Sequence, residues 1–586
     1  MITATAPSDP AWWKEATVYQ ANGHGTLRGV VERVPYLQEL GVDMIWLSPC
    51  YESPQADMGY DISNYQKIDP RYGTLQDWDA LRDACHERGM KLVMDLVVNH
   101  TSNQHDWFKD SRSSKSNHKR DWYIWHPGHI DAQGVRTAPN NWKSSFGAGS
   151  AWEWDETTSE YYLHLYLKEQ PDLNWENVEL REAVYAMMRW WLDRGADGFR
   201  MDVINYISKA PGLPDAPITV PGRQFQSFGD LSVNRPRVHD FLKEMHREVL
   251  SHYDCFAVGE CPGTQGPESF AIYSKPENKE LQMVFHFHHQ GFDRISRPWG
   301  RSWNPDWKLS GMKAIFNEWN VDMSKFGGWN SNYLENHDQS RIITRLASDH
   351  PSNRSKSGKL CCMLHTTLTG TLFIYQGQEI GMANIPSEWG EEEYKDIEAV
   401  QNLQGERLYL ERQGVTGDEA MKDVLKSLRM TARDNGRTPM QWDDTPNAGF
   451  SKATPWMRVH DDYKTWNVKS GMGDPDSVWS FWKKMLEFRK AYPAIIYGDF
   501  IPLDPASEES YAYVRQHPTT NQRILVVLNF AKGDDGMGRE ITFDAGAFGV
   551  DVSGARLVIS NGDEKEGSGV SGVMKLGRWE GRVYLL

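Results

Sequence analysis

The sequence predicts an α/β chain built on a (β/α)8 TIM barrel, with an inserted domain after the third strand and a C-terminal antiparallel β-sandwich domain. Three observations carry that expectation. Short apolar runs end in acids at three separate places: Gly198-Phe199-Arg200-Met201-Asp202, Phe256-Ala257-Val258-Gly259-Glu260, and residues 332–338 with Glu335 and Asp338. Each run is brief and followed by loop-like sequence, as parallel strands buried on both faces should be. Three acids at three strand ends converge only if the strands close around one axis, and the barrel places its chemistry at the C-terminal ends of its strands. At 586 residues, the chain also exceeds the roughly 250 of a bare barrel, so insertions or added domains are required. Finally, two long stretches break the strand–helix alternation.

In chain order, residues 16–20 read as the first strand, 30–40 as an amphipathic helix closed by Gly41, and 42–49 as the second strand. A helix over 75–88, ended by Gly89, precedes a strand over 91–100. From about 102 to 170 the pattern turns to Trp, His, Ser and Gly with short aromatic strands such as 161–167, which reads as the inserted domain. Its His105, His118, His126 and His129 fit no common metal-ligand spacing and read as loop histidines. Residues 179–193 are helical and lead into the strand at 195–203. Helices follow over 231–251 and from 308 to 316, then a strand and loop over 372–379. Residues 382–456 are polar, charged and rich in Trp and Gly, a second elaboration, and 477–490 form the last helix. Beyond 510, alternating runs such as 511–515 and 524–530 read as a β-sandwich. The expected organisation is therefore barrel 1–101, inserted domain 102–170, barrel 171–509 and C-terminal domain 510–586.

The chemistry starts from the strand at 195–203. Side chains alternate at period two, so Arg200 and Asp202 share one face. An acid beside a fixed cation stays ionised, and only the anion is a nucleophile. A lone Arg-x-Asp is more often a structural ion pair; two further acids at strand ends argue against that here. Glu260, in a more apolar run, is the better proton holder, because desolvation raises an acid's pKa.

Composition narrows the partners. Net charge is −16, from 80 acidic against 64 basic residues, and no dense basic cluster offers a nucleic acid surface. The 25 Trp and 24 Tyr are weak support for sugar stacking, since aromatic residues are more often simply core. Six cysteines without regular spacing, several in apolar segments, read as buried free thiols. No run approaches the roughly 20 apolar residues of a membrane span, so no membrane partner is expected. Residues 1–10 have neither a basic start nor an apolar core, which places the chain in the cytoplasm.

Four segments, Asp95-Leu96-Val97-Val98-Asn99-His100, Gly198-Phe199-Arg200-Met201-Asp202, Val258-Gly259-Glu260 and Glu335-Asn336-His337-Asp338, occur in the order found in the α-amylase-type glycoside hydrolases. The sequence resembles that family, and within it the α-glucosidase and oligo-1,6-glucosidase branch, from Trp12 to the C-terminus. The resemblance implies a retaining, exo-acting α-glucosidase with Asp202 as nucleophile, Glu260 as acid and base, and Asp338 with His337 gripping sugar hydroxyls. It implies that Tyr60 stacks on the terminal glucose, that Asp61 and His100 bond its hydroxyls, and that Arg437 reaches its non-reducing end. Phe146, Tyr166 and Gln170 match wall positions; Tyr166 stands where relatives often carry Phe. Val203 resembles the residue of enzymes that cut α-1,6 bonds, so isomaltose is the expected substrate, with maltose or sucrose as alternatives. Arg433 is better explained as a bridge that fixes its own loop.

One departure stands out. The resemblance predicts a longer first strand and then an aspartate-bearing loop that often binds calcium. Here Gln20-Ala21-Asn22-Gly23-His24-Gly25-Thr26-Leu27 is shorter, with His24 where an acid is expected, so no metal and no cofactor is assigned. The shortening is either harmless or weakens the first strand. A transglucosylase or sucrose isomerase would use the same acids, but the isomerases' Arg-Leu-Asp-Arg-Asp-like loop is absent between His286 and Arg301. A non-catalytic relative would be expected to lose the acids.

Overall fold

The computed structural model describes residues 11–586 apart from 131, 133, 148, 264, 298–299, 416–417, 534–535 and 571. The expectation drawn from residues 1–10 lies outside them. The barrel strands are β1 (Thr17–Ala21), β2 (Met44–Leu47), β3 (Lys91–Val97), β4 (Gly198–Asp202), β5 (Phe256–Glu260), β6 (Met283–Phe285), β7 (Ser331–Tyr333) and β8 (Thr371–Tyr375). They pair in parallel in the order β6-β5-β4-β3-β2-β1-β8-β7. A parallel bridge from Val284 to Asn330, with Ser331 Oγ donating to Val284 O at 2.7 Å, joins β6 to β7 and closes the ring.

A helix follows each strand: α1 (Leu27–Leu40), α2 (Leu75–His86), α3 (Val178–Asp193), α4 (Arg237–Glu248), α5 (Pro267–Ser274), α6 (Leu309–Lys325), α7 (Arg354–Thr367) and α8 (Val478–Ala491). Their ends follow the local chemistry. Thr74 caps α2 in a capping box with Asp77, Asn177 caps α3, and Gly41 ends α1 at φ +103°. Two boundaries differ from the sequence reading. The helix expected over 231–251 is confined to α4 because Pro236 stands at its N-cap, with 3-10 turns on either side. α6 runs on to Lys325, well past the expected 316.

The barrel interior is filled by Val18, Met44, Trp46, Val93, Phe256, Val258, Met283, Phe285, Tyr333 and Phe373, with Trp12, Trp13 and Trp329 packed against them. It is a core, not a channel. Between β3 and α3, an antiparallel sheet of Trp125–His126, Glu160–Leu163 and Trp152–Asp155 forms the inserted unit. At the C-terminus, β9 (Asp499–Leu503), β10 (Ser510–Gln516), β11 (Arg523–Asn529), β12 (Arg556–Ser560) and β13 (Gly581–Leu585) form one antiparallel layer in the order β9-β10-β11-β13-β12. The pair Ile541–Asp544 and Val573–Leu576 covers a shared apolar core. This layer starts before the expected boundary at 510. Pro502 hid β9 from the sequence reading, since proline is tolerated only at sheet edges, where β9 lies.

The shortened loop does not unravel β1, which keeps its register with both β2 and β8. All six cysteines are free and buried. Among the described residues no helix is long and apolar enough to cross a membrane.

Candidate active site

Register builds the centre of the site. β4 and β5 pair Arg200 with Val258 and Met201 with Gly259, so the next step along each strand sets Asp202 beside Glu260. Gly198 permits this approach: a Cβ there would lie 2.0 Å from Phe256 O. Immediately after Asp202, Val203 is held at φ +35°. A β-branched residue in that region stores strain of about 1–3 kcal/mol, and the turn aims its N–H at Glu260 Oε2, 3.3 Å away.

The Arg200–Asp202 pair expected from the sequence is present, but Arg200 is shared with Asp95 and Glu260, so Glu260 does not sit in the apolar setting expected of it. Arg200, 1% exposed, places Nη1 2.8 Å from Asp202 and 2.9 Å from Asp95, and Nη2 2.6 Å from Glu260. One guanidinium thus faces three carboxylates and cannot neutralise them all. Burial pushes Asp202 well above the usual carboxylate range, with Arg200 opposing and Glu260 and Asp95 adding to the rise. Burial likewise pushes Asp95 up to about 6, Arg200 pulling the other way. Burial and its acidic neighbours thus favour the protonated form of Asp202 in the empty site.

A second cluster forms the rim. Asp338 lies 2.7 Å from Arg437 Nη2 and 3.0 Å from Arg433 Nε. Although burial opposes it, these two cations and His337 hold Asp338 well below the usual carboxylate range. Arg437 also binds Asp396 at 2.5 Å and donates to His337 O at 2.8 Å. Arg433 reaches Asp396 at 3.5 Å and Asp57 at 3.7 Å, and lies over the Phe146 ring at 5.6 Å. Arg433 is therefore a direct partner of a site acid, beyond the loop bridge expected of it.

Between the clusters stand His337, Tyr60 and His100. The His337 ring stacks on Tyr60 at 5.3 Å, and its nitrogens meet Gln20 Nε2 and Tyr60 Oη at 2.8 Å each. Burial lowers it to about 3, so it is neutral. His100 is lowered by burial to about 4 and contacts Tyr60 O and Gln170 Nε2, both at 3.1 Å. Gln170, Tyr166 and Phe146 all arrive from the inserted segment. Tyr166 packs on His100 at 5.4 Å and Phe146 at 5.5 Å, and its hydroxyl is raised by burial and by Tyr206, Asp202 and Glu260.

Asp61 is the residue the structure does not bring in. It is fully buried, and its oxygens accept from Ser53 Oγ at 3.0 Å, Ala56 N at 3.0 Å and Asp57 N at 3.1 Å. It braces the 53–57 loop. Asp57, four residues earlier, faces Arg433 instead and accepts from Gln170 Nε2 at 3.0 Å. Its other oxygen is buried without a hydrogen-bond partner among the described residues. Asp57, Asp95, Asp396, Gln20 and Arg433 were all missed as site residues. Asp95 alone carried a signal, its place inside a motif strand.

A carboxyl pair bridged by one arginine at the mouth of a (β/α)8 barrel, with a rim of acid, arginine and aromatic rings, defines a glycosidase-type site. The chain belongs to the α-amylase family: the α-amylase catalytic domain model matches residues 13–498. It is a glycoside hydrolase. It is 44% identical over 587 residues to the oligo-1,6-glucosidase of Parageobacillus thermoglucosidasius, covering 98% of each chain. Over 548 residues it is 44% identical to the α-glucosidase of Schizosaccharomyces pombe, covering 91% of this chain and 92% of that one. Its fold matches the solved isomaltulose synthase of Protaminobacter rubrum with a TM-score of 0.87 at 36% identity, covering 99% of this chain and 100% of the other.

Proposed function

We propose that this chain is a retaining, exo-acting α-glucosidase that removes terminal α-linked glucose from short oligosaccharides, with α-1,6 bonds preferred. The observation that carries the reading is that one guanidinium holds both acids, Arg200 Nη1 2.8 Å from Asp202 and Nη2 2.6 Å from Glu260. Inverting glycosidases need about 6.5–9.5 Å between their carboxyls for a water, whereas retaining ones need about 5–5.5 Å. Two carboxyls held by neighbouring nitrogens of one guanidinium fit the shorter spacing.

In the first step Glu260, as general acid, gives a proton to the glycosidic oxygen as the C1–O bond breaks, while the Asp202 carboxylate bonds to C1 from the opposite face. Glu260, now ionised, takes a proton from water, whose oxygen bonds to C1 and releases Asp202. Two inversions return the α configuration. Asp338, permanently ionised between Arg433 and Arg437, accepts from sugar hydroxyls. Tyr60, His100, Phe146, Tyr166 and Gln170 supply the walls, and Arg437 closes the non-reducing end.

Linkage preference rests on Val203 and on the oligo-1,6-glucosidase relatives. One side chain near the leaving group shifts selectivity by about 1–3 kcal/mol. A transglucosylase or sucrose isomerase would share every acid and differ on the acceptor side; the isomaltulose synthase relative keeps that second reading in view. Six buried free thiols suit a reducing compartment such as the cytoplasm.

The test is glucose release from isomaltose and maltose at equal concentration, with Asp202→Asn as control. Faster release from isomaltose, lost in the control, is expected. Faster release from maltose overturns the Val203 argument, and release of an isomeric disaccharide from sucrose in place of glucose overturns hydrolysis.

A further inference from the structure

The shortened segment between β1 and α1 leaves a cavity of about 280 Å³. Asn22, Gly25, Glu32, Arg33, Trp442 and Phe450 line it. Trp442 and Phe450 are half-buried, so each presents part of a ring to the space. Arg33 lies over Trp442 at 4.2 Å. Among the described residues neither Glu32 nor Arg33 has an ion-pair partner.

The charges decide the ligand class. Glu32 and Arg33 sum to zero, and burial lowers the nearby His24 toward its neutral form. An anion or a cation would meet one attractive and one repulsive group. A neutral, hydroxyl-rich ring meets only attraction: its C–H face packs on aromatic carbon, and its hydroxyls find an amide, a carboxylate and a guanidinium. The volume lies at the lower end of small-molecule pockets, about 300–1,000 Å³, which suits one ring and no chain.

We propose that this cavity is a second, non-catalytic binding pocket for a single neutral pyranose. It is separate from the acids yet close to their rim. Met58 lines it and contacts the Arg437 guanidinium, whose other nitrogen holds Asp338 at 2.7 Å.

The test is calorimetric titration of the full-length Asp202→Asn protein with glucose, alongside the same protein carrying Gly25→Phe or Trp442→Ala. Gly25 suits filling, because a Cβ there meets only Phe450 Cζ at 4.0 Å and its φ is not positive. Two glucose sites per chain are expected in the parent. One site should remain in each variant, with its affinity unchanged. A single site in the parent overturns the pocket, as does survival of both sites in the two variants. The choice of glucose rests on the glucosidase reading, but the two can fail separately. An active wild-type glucosidase whose Asp202→Asn form has one glucose site sinks only the pocket, while a folded wild-type chain without activity, whose Asp202→Asn form loses its second site on filling, sinks only the glucosidase.

Discussion

Two clusters of three carboxylates face each other across this site, and they differ by one arginine. Around Arg200 a single cation meets Asp95, Asp202 and Glu260. Around Asp338 two cations, Arg433 and Arg437, serve Asp57, Asp338 and Asp396. Both sets are buried, so desolvation pushes every member toward its protonated form. The first set lacks the charge to resist, and Asp202 and Asp95 rise. The second resists at Asp338 and Asp396, which fall, while burial still raises Asp57, the acid farthest from a cation. The ratio of cations to acids thus sorts one region into a proton store and the other into a fixed anionic grip. Identity of the acids does not: both clusters are mainly aspartate.

The largest expected effect separates the two reacting acids of the first cluster, Asp202 and Glu260. Asp202→Asn should lower kcat/KM by about 10⁴-fold or more on every α-glucoside, since no covalent intermediate can form. Glu260→Gln should do comparable damage on isomaltose but far less on p-nitrophenyl α-glucoside, whose phenolate leaves without a proton. Parallel kinetics on both substrates would read this out. The opposite pattern would exchange the two roles.

Next in size is the grip. Arg437→Met leaves Asp338 and Asp396 short of a cation, and truncating one partner of a buried ion pair typically costs about 3–5 kcal/mol of stability. A carboxylate held below its unfolded pKa of about 4 stabilises the fold above that pH and loses the contribution as pH falls. Asp338 does this. Asp95, raised to about 6, does the reverse, costing stability as pH climbs from about 4 through 6. Melting temperature against pH should therefore fall more steeply on the acid side in the native protein than in Arg437→Met. Parallel curves would mean that Arg437 does not hold Asp338 ionised.

Arg200→Lys tests the cation count directly. An ammonium cannot span three carboxylates as the planar fork does, so the proton store should become more basic. Both limbs of the kcat/KM profile should shift to higher pH, by about one unit for each 1.4 kcal/mol of lost ion-pair energy. An unshifted profile would show that Arg200 acts on geometry alone.

The barrel, the inserted segment and the three acids were legible because each has a local signature: a short apolar run, a change of composition, an acid at a strand end. The partition of charge was not. Arg200 looked like the private partner of Asp202 because they are two residues apart, yet register brings Glu260, 58 positions beyond it, equally close. Arg433 and Asp396 lie in the irregular segment after β8, where no period reveals which way a side chain points. β9 was hidden by a proline, and the fate of the short β1–α1 segment depended on what packed around it, Trp456 on His24 at 5.3 Å among others.

The smallest expected effect concerns Asp61, which the sequence reading placed in the site, and Asp57, which it did not consider. Asp61 has three hydrogen-bond donors aimed at its oxygens, all from the 53–57 loop. Replacing it by Asn puts an NH₂ against an N–H or hydroxyl and should cost about 1–3 kcal/mol of stability with little change in KM. Asp57 keeps one buried oxygen without a hydrogen-bond donor beside Arg433, an acceptor still unsatisfied in the empty site. Asp57→Asn should raise KM for isomaltose several-fold and leave the melting temperature nearly unchanged. Thermal melts and initial rates on the two variants decide it: if Asp61→Asn raises KM while Asp57→Asn only destabilises, the rim is built on Asp61 after all, and the 53–57 loop must rearrange when sugar binds.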